Sequence, residues 1–485
     1  MSTLENIRSE RLKKIEILKE NGLNPYPAKT ERDLEISQFI ENFDQYLSSA
    51  EEHVLAGRIM SIRSHGGSTF LDIFDGTEKV QIFLSEAEVG EKSYELFKHT
   101  TDLGDFVEVK GKAFQTQRGA KSLAANFWTM LSKSLLPIPD EWYGLKDEDE
   151  RYRKRFLDLL LNKDLRSLFE KKAKFWNETR NFLIERGFLE VETPTLELTT
   201  GGAEARPFQT HHNDFDLDVY LRISVGELWQ KRLMAAGFPK TFEIGRVYRN
   251  EGTSPEHLQE FTNVEFYAAY MDYEEGMNLT EEMIKTVVYK VFGTYKFSAK
   301  GHEFDLESKW PRIDYVETVK KMAGIDILNA SEKEMKDKLD ELEVKYDGDN
   351  RERLTDTLWK YCRKQISGPA WLINHPKIVS PLSKAKKDNP KLTERVQLLL
   401  AGAEMTNGFS ELNDPLDQRE RFEIQQKLLE EGDEEAMMAD WEFVEMLEYG
   451  MPPTFGFAYG ERLFATLAGL PVRETQLFPL MRPRE

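Results

Sequence analysis

Along MSTLENIRSERLKKIEILKE, apolar residues Leu4, Ile7, Leu12, Ile15 and Leu18 recur at helical spacing, which predicts an amphipathic helix over residues 1–20. From Val54 to Leu131 the period drops to two. VLAGRIMSIRS, STFLDIFDG, EKVQIFL, DFVEVKGKAFQT and LAANFWTMLSKSL read as five strands, with turns at His65-Gly66-Gly67, Asp75-Gly76 and Arg118-Gly119. A helix around Ser93–His99 falls between the third and fourth strands.

Five strands with a helix in that place suit a small Greek-key barrel of the OB type, an architecture that binds oligonucleotides on one face. The stretch 136–150 carries Pro137, Pro139 and an acidic run, and reads as a linker. The remaining residues mix helices and strands, with a charged helical excursion expected over 330–350. The expected chain is therefore α+β and multidomain.

FEIGRVYRNEGTSPEHLQEFTNVEFY, 242–267, places two alternating runs around a long polar loop. With 241–249 as a strand, period two puts Glu243, Gly245, Val247 and Arg249 on one face. The same period puts Phe261, Asn263, Glu265 and Tyr267 together. An arginine, a carboxylate, a phenol and an aromatic ring are parts for holding a charged, aromatic ligand, since guanidinium matches phosphate or carboxylate bidentately. Solvated charges on an edge hairpin are the plain alternative.

Charge and composition narrow the class. At 485 residues the chain is long enough for two to four domains and a large core. It has no run of eighteen apolar residues and no secretory signal pattern, so neither a membrane span nor export is expected. The single cysteine, Cys362, allows no internal disulfide and fits a cytoplasmic protein. A net charge of −20 argues against coating nucleic acid by bulk attraction, but not against a local RNA-binding surface. The cations Arg8, Arg11, Lys13, Lys14 and Lys19 are interspersed with glutamates and read as a solvated face, with RNA contact as the sharper alternative.

Two further stretches join the hairpin: GFLEVETPTL at 187–196, and PPTFGFAYGERLFATLAG at 452–469, a glycine-punctuated strand running into a helix. With these three motifs in this order, the chain resembles the class II aminoacyl-tRNA synthetases. TTGGAEARPFQTHHNDFDLDVYLRIS at 199–224, HPKIVSPLSK at 375–384, NGFSELNDPLDQRERF at 407–422 and LFPLMRP at 477–483 refine the resemblance to the lysyl-tRNA synthetases of subclass IIb. It implies a helical extension over 1–50, an OB-fold anticodon-binding domain over 51–135, and a catalytic domain over 151–485. That last domain would be an antiparallel sheet flanked by helices, with a charged insertion near 300–370.

The resemblance also implies roles. Gly202 (through its backbone), Glu227 and Glu265 would surround the α-amino group of L-lysine, and Asn407 would support the side-chain pocket. Arg249 would bridge the lysine carboxylate and the α-phosphate of ATP. Glu251 and His257 would contact the nucleotide, Phe261 would stack on adenine, and Arg462 would reach the γ-phosphate. Mg2+ is expected at Glu404, although Gln397 stands where a second metal-binding glutamate is usual. A buried ammonium requires a carboxylate, which Glu411 offers with Tyr267 beside it. On the barrel, Arg63, Phe70 and Gln81 would read the anticodon of tRNA(Lys) by stacking and amide hydrogen bonds; Phe70 as barrel core is the alternative. A homodimer is implied as well. The expected activity is formation of lysyl-adenylate, then transfer to tRNA. The alternatives are a lysine ligase acting on a protein such as an elongation factor, an aspartyl or asparaginyl synthetase, and an inactive RNA-binding scaffold.

Overall fold

The computed structural model describes residues 3–139, 145, 147–203, 205–252, 254, 257–346, 348, 350–432 and 436–484. Two compact units result, Met1–Leu161 and Asn162–Glu485.

The first unit opens with the helix Thr3–Glu20. Its buried stripe is narrower than the sequence suggests, since Ile15 and Leu18 are buried while Leu4 and Leu12 are exposed. Two of its cations are structural rather than solvated. Buried Arg11 donates to the carbonyls of Leu103, Ser134 and Leu136 at 3.1, 3.2 and 3.1 Å, and Lys14 pairs with Asp102 at 2.7 Å. Backbone carbonyls withdrawn from water need donors, and here a side chain provides them.

Strands Glu52–His65, Ser68–Phe74, Lys79–Ser85, Phe106–Gln115 and Lys121–Ser132 close into a barrel in the order first, second, third, fifth, fourth. Period two sends Leu71, Ile73, Val80, Ile82 and Leu84 inward. The fourth strand passes the fifth so closely at Gly111 that a β-carbon there would lie 1.9 Å from the Ala124 carbonyl oxygen. The expected single helix is two, Glu86–Val89 and Glu91–Thr100, separated at Gly90 with φ +82. Of the expected linker, residues 140–144 and 146 lie outside the described residues. The first compact unit runs to Leu161 and so includes the helices Glu148–Arg153 and Arg155–Leu161.

The second unit is built on a nine-stranded sheet. Its order runs Arg312–Asp314, Ala370–Ile373, Arg395–Leu400, Thr406–Ser410, Thr454–Gly460, Glu260–Ala269, Lys240–Tyr248, Leu189–Glu190, with Ala403–Glu404 paired to Arg395–Leu400. Pairing is antiparallel except at the two outer strands. Helices Lys163–Glu185 and Tyr273–Phe292 cover one face over a core that includes Phe175, Phe266, Val287 and Phe457. Gly276 lets the second helix settle on Phe455, whose ring a β-carbon would meet at 2.4 Å. The charged stretch folds as the hairpin Lys296–Ala299/His302–Asp305 and three helices, Tyr315–Ala323, Glu332–Glu341 and Arg351–Arg363. These have a core of their own around Val319, Leu339, Leu358 and Trp359.

Candidate active site and nucleic-acid face

The hairpin pairs Glu243 with Glu265, Gly245 with Asn263 and Val247 with Phe261, so the polar residues do share a face. Arg249 lies one residue past its strand, yet its N–H still bonds the Gln259 carbonyl at 2.8 Å. Its guanidinium is fixed by Nε and Nη2 donating to the Ile223 carbonyl at 3.3 Å each, and lies 5.3 Å from the Phe261 ring centroid. Burial lowers its pKa, with Glu251 and Glu265 pulling the other way. In the loop, Ser254 Oγ and His257 Nδ1 are 2.7 Å apart, while residues 253, 255 and 256 lie outside the described residues.

Beside the hairpin lies a cleft of about 550 Å³ whose lining includes Gly202, Glu227, Arg249, Glu251, His257, Phe261, Glu265, Glu404, Asn407 and Arg462. Glu265 accepts from the Val225 N–H at 2.7 Å and Asn263 Nδ2 at 3.1 Å, and its other oxygen accepts from the Tyr267 hydroxyl at 3.1 Å. Burial, then Glu227, pushes the Glu265 carboxyl up to about 7. Gly202, at φ +88, presses on Glu227 so closely that a β-carbon would come within 2.6 Å of it. Asn407 Oδ1 is held by Arg395 Nε at 2.8 Å.

Tyr267 and Glu411 do not line the open cleft; both are buried behind it. They meet at Gly456, where a β-carbon would lie 2.1 Å from Glu411 Oε1 and 2.6 Å from the Tyr267 ring. Burial keeps the Tyr267 phenol protonated far above its ordinary range and raises Glu411, against which Lys231 works. That cation was not anticipated. Lys231 Nζ lies 2.8 Å from Glu227 and 2.5 Å from Glu411.

Arg462, also in the cleft lining, stands at the start of the helix Glu461–Leu467 and approaches the Glu404 carbonyl at 3.5 Å. The Glu404 carboxylate accepts from Trp359 Nε1 at 2.5 Å and Arg363 Nη1 at 2.6 Å, and the Gln397 amide oxygen contacts His375 Nε2 at 2.9 Å. Among the described residues no three His, Cys, Asp or Glu side chains gather as a metal cage. One carboxylate already paired with Arg363, next to a neutral amide, does not fit a metal held by the protein alone.

On the barrel, Arg63 is exposed and paired across strands with Phe70. Phe70 is on the outer surface and is no part of the barrel core. Its ring lies 5.0 Å from Phe83, which lies 5.7 Å from Phe114. The Gln81 side chain accepts from Ser122 Oγ at 3.2 Å. These residues share the outer face of adjacent strands.

The profile of the class II tRNA synthetases (D, K and N) matches residues 147–482, and that of the OB-fold nucleic acid binding domain matches 53–131. A lysine–tRNA ligase of Thermotoga maritima is 43% identical over 489 residues, covering 99% of this chain and 97% of its own length. The chain belongs to the class II lysyl-tRNA synthetases. Similar ligases of Moorella thermoacetica and Halalkalibacterium halodurans are each 42% identical, covering 99% of this synthetase and 98% of their own lengths.

Several residues that shape the synthetase's cleft had no sequence signal strong enough to single them out. Arg395 fixes Asn407, Arg363 and Trp359 engage Glu404, and Lys231 stands between two glutamates. Lys231 follows Glu227 by one helical turn, a spacing that could have flagged the pair. Its link to Glu411 crosses 180 positions and is invisible before folding. Glu461 is buried against Lys172 at 3.0 Å and is also bonded by Gln476, so this carboxylate is structural.

Proposed function

We propose that the cleft activates L-lysine with ATP and that the synthetase then transfers the lysyl group to tRNA(Lys). The observation that carries the choice of lysine is the buried acidic cluster Glu227, Glu265 and Glu411 beside the Tyr267 phenol, next to Arg249 and Phe261. A pocket for aspartate or asparagine has no use for three carboxylates, whereas a dibasic amino acid neutralises them.

In this reading Gly202, Glu227 and Glu265 hold the α-ammonium of lysine, and Glu411 with Tyr267 and Asn407 takes the ε-ammonium end. Arg249 binds the lysine carboxylate and the α-phosphate, Phe261 stacks on adenine, Glu251 and His257 contact the nucleotide, and Arg462 reaches the γ-phosphate. The carboxylate attacks the α-phosphorus in line, forming lysyl-adenylate and expelling diphosphate. The terminal ribose hydroxyl of tRNA then attacks the acyl carbon and AMP leaves. No general base is required for the first step; Arg249 and Arg462 orient the groups and spread the developing charge. Class II lysyl-tRNA synthetases are ATP-dependent and generally use Mg2+. In this chain we assign the metal to the incoming nucleotide, and Glu404 is the carboxylate that would contribute to holding it.

We assign anticodon reading to Arg63, Phe70 and Gln81 on the barrel of 51–135, and the two chemical steps to 151–485. A homodimer is supported by exposed apolar residues Ile184, Leu189, Leu196 and Leu198 around the first motif. Among the described residues no helix is long and apolar enough to cross a membrane, and we assign the synthetase to the cytoplasm, where its tRNA substrate would be met. ATP–diphosphate exchange with each of the twenty amino acids tests the reading. Lysine alone should support strong exchange; exchange on aspartate or asparagine instead refutes it.

A further inference from the structure

Three carboxylates, Glu227, Glu265 and Glu411, are buried in one region of the catalytic unit. The reading above brings two ammonium groups to them, and a third positive charge is built into the fold. Lys231 is fully buried on the helix Glu227–Ala235, one turn after Glu227, with Nζ 2.8 Å from Glu227 Oε1 and 2.5 Å from Glu411 Oε2. The Phe409 and Phe443 rings lie 5.3 and 5.8 Å from it. We propose that Lys231 is a positioning residue for lysine recognition, pairing with Glu227 and Glu411 so that it favours the ionised form of Glu411 against burial and leaves Glu411 Oε1 for the ε-ammonium of the substrate. This inference rests on the lysine reading of the cleft.

The charges balance only with Lys231 present. Arg249 is offset by the carboxylate of the substrate, and the two substrate ammonium groups together with Lys231 offset the three glutamates. The geometry divides the work on Glu411 in the same way. Its Oε2 is ion-paired with Lys231 Nζ at 2.5 Å, while Oε1 has neither an ion-pair nor a hydrogen-bond partner among the described residues and abuts Gly456 beside the Tyr267 ring. A buried carboxylate that loses its cation takes a proton more readily and holds it to higher pH, and a protonated Glu411 cannot counter an ammonium.

The charged and titratable groups around this pair are few. Glu227 comes from the same helix, and Glu265 and Tyr267 from the return strand of the hairpin. Asp440, which starts the helix Trp441–Glu448, is paired with Arg232 at 2.9 Å. None of these replaces the Lys231 charge. A purely structural tie between the helix and the sheet would affect both substrates equally. A recognition role affects lysine alone.

The test is ATP–diphosphate exchange by the full-length chain and by Lys231→Met, with lysine and ATP varied separately from pH 6.5 to 9. The expected result is a lysine KM raised at least about tenfold near pH 7.5, with ATP KM within about twofold and kcat at saturating lysine within about threefold. The rise of kcat/KM for lysine with pH should also move to higher pH. An unchanged lysine KM, an equal rise for both substrates, or an unshifted profile overturns the role. Should Lys231→Met not fold, Lys231→Gln keeps a donor to Glu227 without the charge and is judged by the same criteria. Failure of both to fold makes Lys231 a folding residue and overturns the proposal too. If the unaltered chain does not exchange on lysine, the lysine reading falls and takes this inference with it; strong wild-type exchange beside an unaffected variant sinks the Lys231 role alone.

Discussion

Arg222 and Glu243 form a buried ion pair, Nη1 to Oε1 at 2.6 Å, at the foot of the hairpin that carries Arg249. The second Glu243 oxygen accepts from the Thr193 N–H at 2.9 Å and its hydroxyl at 2.6 Å, tying the first motif to the second. Although Glu243 shares a face with the site residues, its role is to hold the frame. Glu243→Ala leaves Arg222 buried without its partner, and is expected to cost about 3–5 kcal/mol of stability. Urea unfolding monitored by fluorescence measures this; a change below ~1 kcal/mol would contradict the assignment.

Substitution at Glu411 separates lysine recognition from nucleotide binding. Glu411→Gln keeps the volume and removes the charge that the proposed reading sets against the ε-ammonium. Loss of a charged hydrogen bond of about 1.5–3 kcal/mol corresponds to a lysine KM about 10- to 100-fold higher, with ATP KM nearly unchanged. Exchange kinetics with each substrate varied decide it, and equal weakening of both would argue against the role.

The barrel is expected to act in the second step only. Gln81→Ala should lower kcat/KM for tRNA charging by about tenfold or more through a lost base contact of about 1–3 kcal/mol, while adenylate formation continues at the wild-type rate. Comparing aminoacylation with exchange on the same preparation makes the distinction, and a parallel drop in both would remove the barrel from anticodon reading.

Proton uptake should accompany the lysine-free state. Burial pushes Glu411 up to about 8 and Glu265 up to about 7 from an ordinary 4.5. Between these limits the folded chain binds protons that the unfolded chain does not, so these groups' contribution to stability is present at low pH and is lost as pH rises through 7 and 8. In the proposed reading lysine brings cations to the same carboxylates and favours their ionised form. Its binding should therefore release protons at pH 7, and kcat/KM for lysine should climb from pH 6 to 8.5. Titration calorimetry in two buffers of different ionisation enthalpy measures the release, and identical heats in both would refute it.

Sequence alone fixed much of the architecture because its signals are local. The two-residue period gave five barrel strands and both hairpin strands, which the fold reproduces to within a few residues. Ser331 and Glu334 form the capping box that starts the expected charged helix, Glu332–Glu341. The same local signals misjudged Arg11, because helical spacing carries no record of which carbonyls lie at the end of a barrel.

What tertiary structure alone decided is how the charges are paired. Glu227, Lys231, Glu265 and Glu411 are all legible as ionisable residues, and the motif resemblance nominated the three glutamates. Only the crossing of helix Glu227–Ala235 with the strand before Glu411 placed an ammonium between two of them. The physical reason is range. Periodicity and capping act over a few residues, whereas the cost of burying a charge is set by whatever group the fold brings within about 4 Å, however distant in the chain.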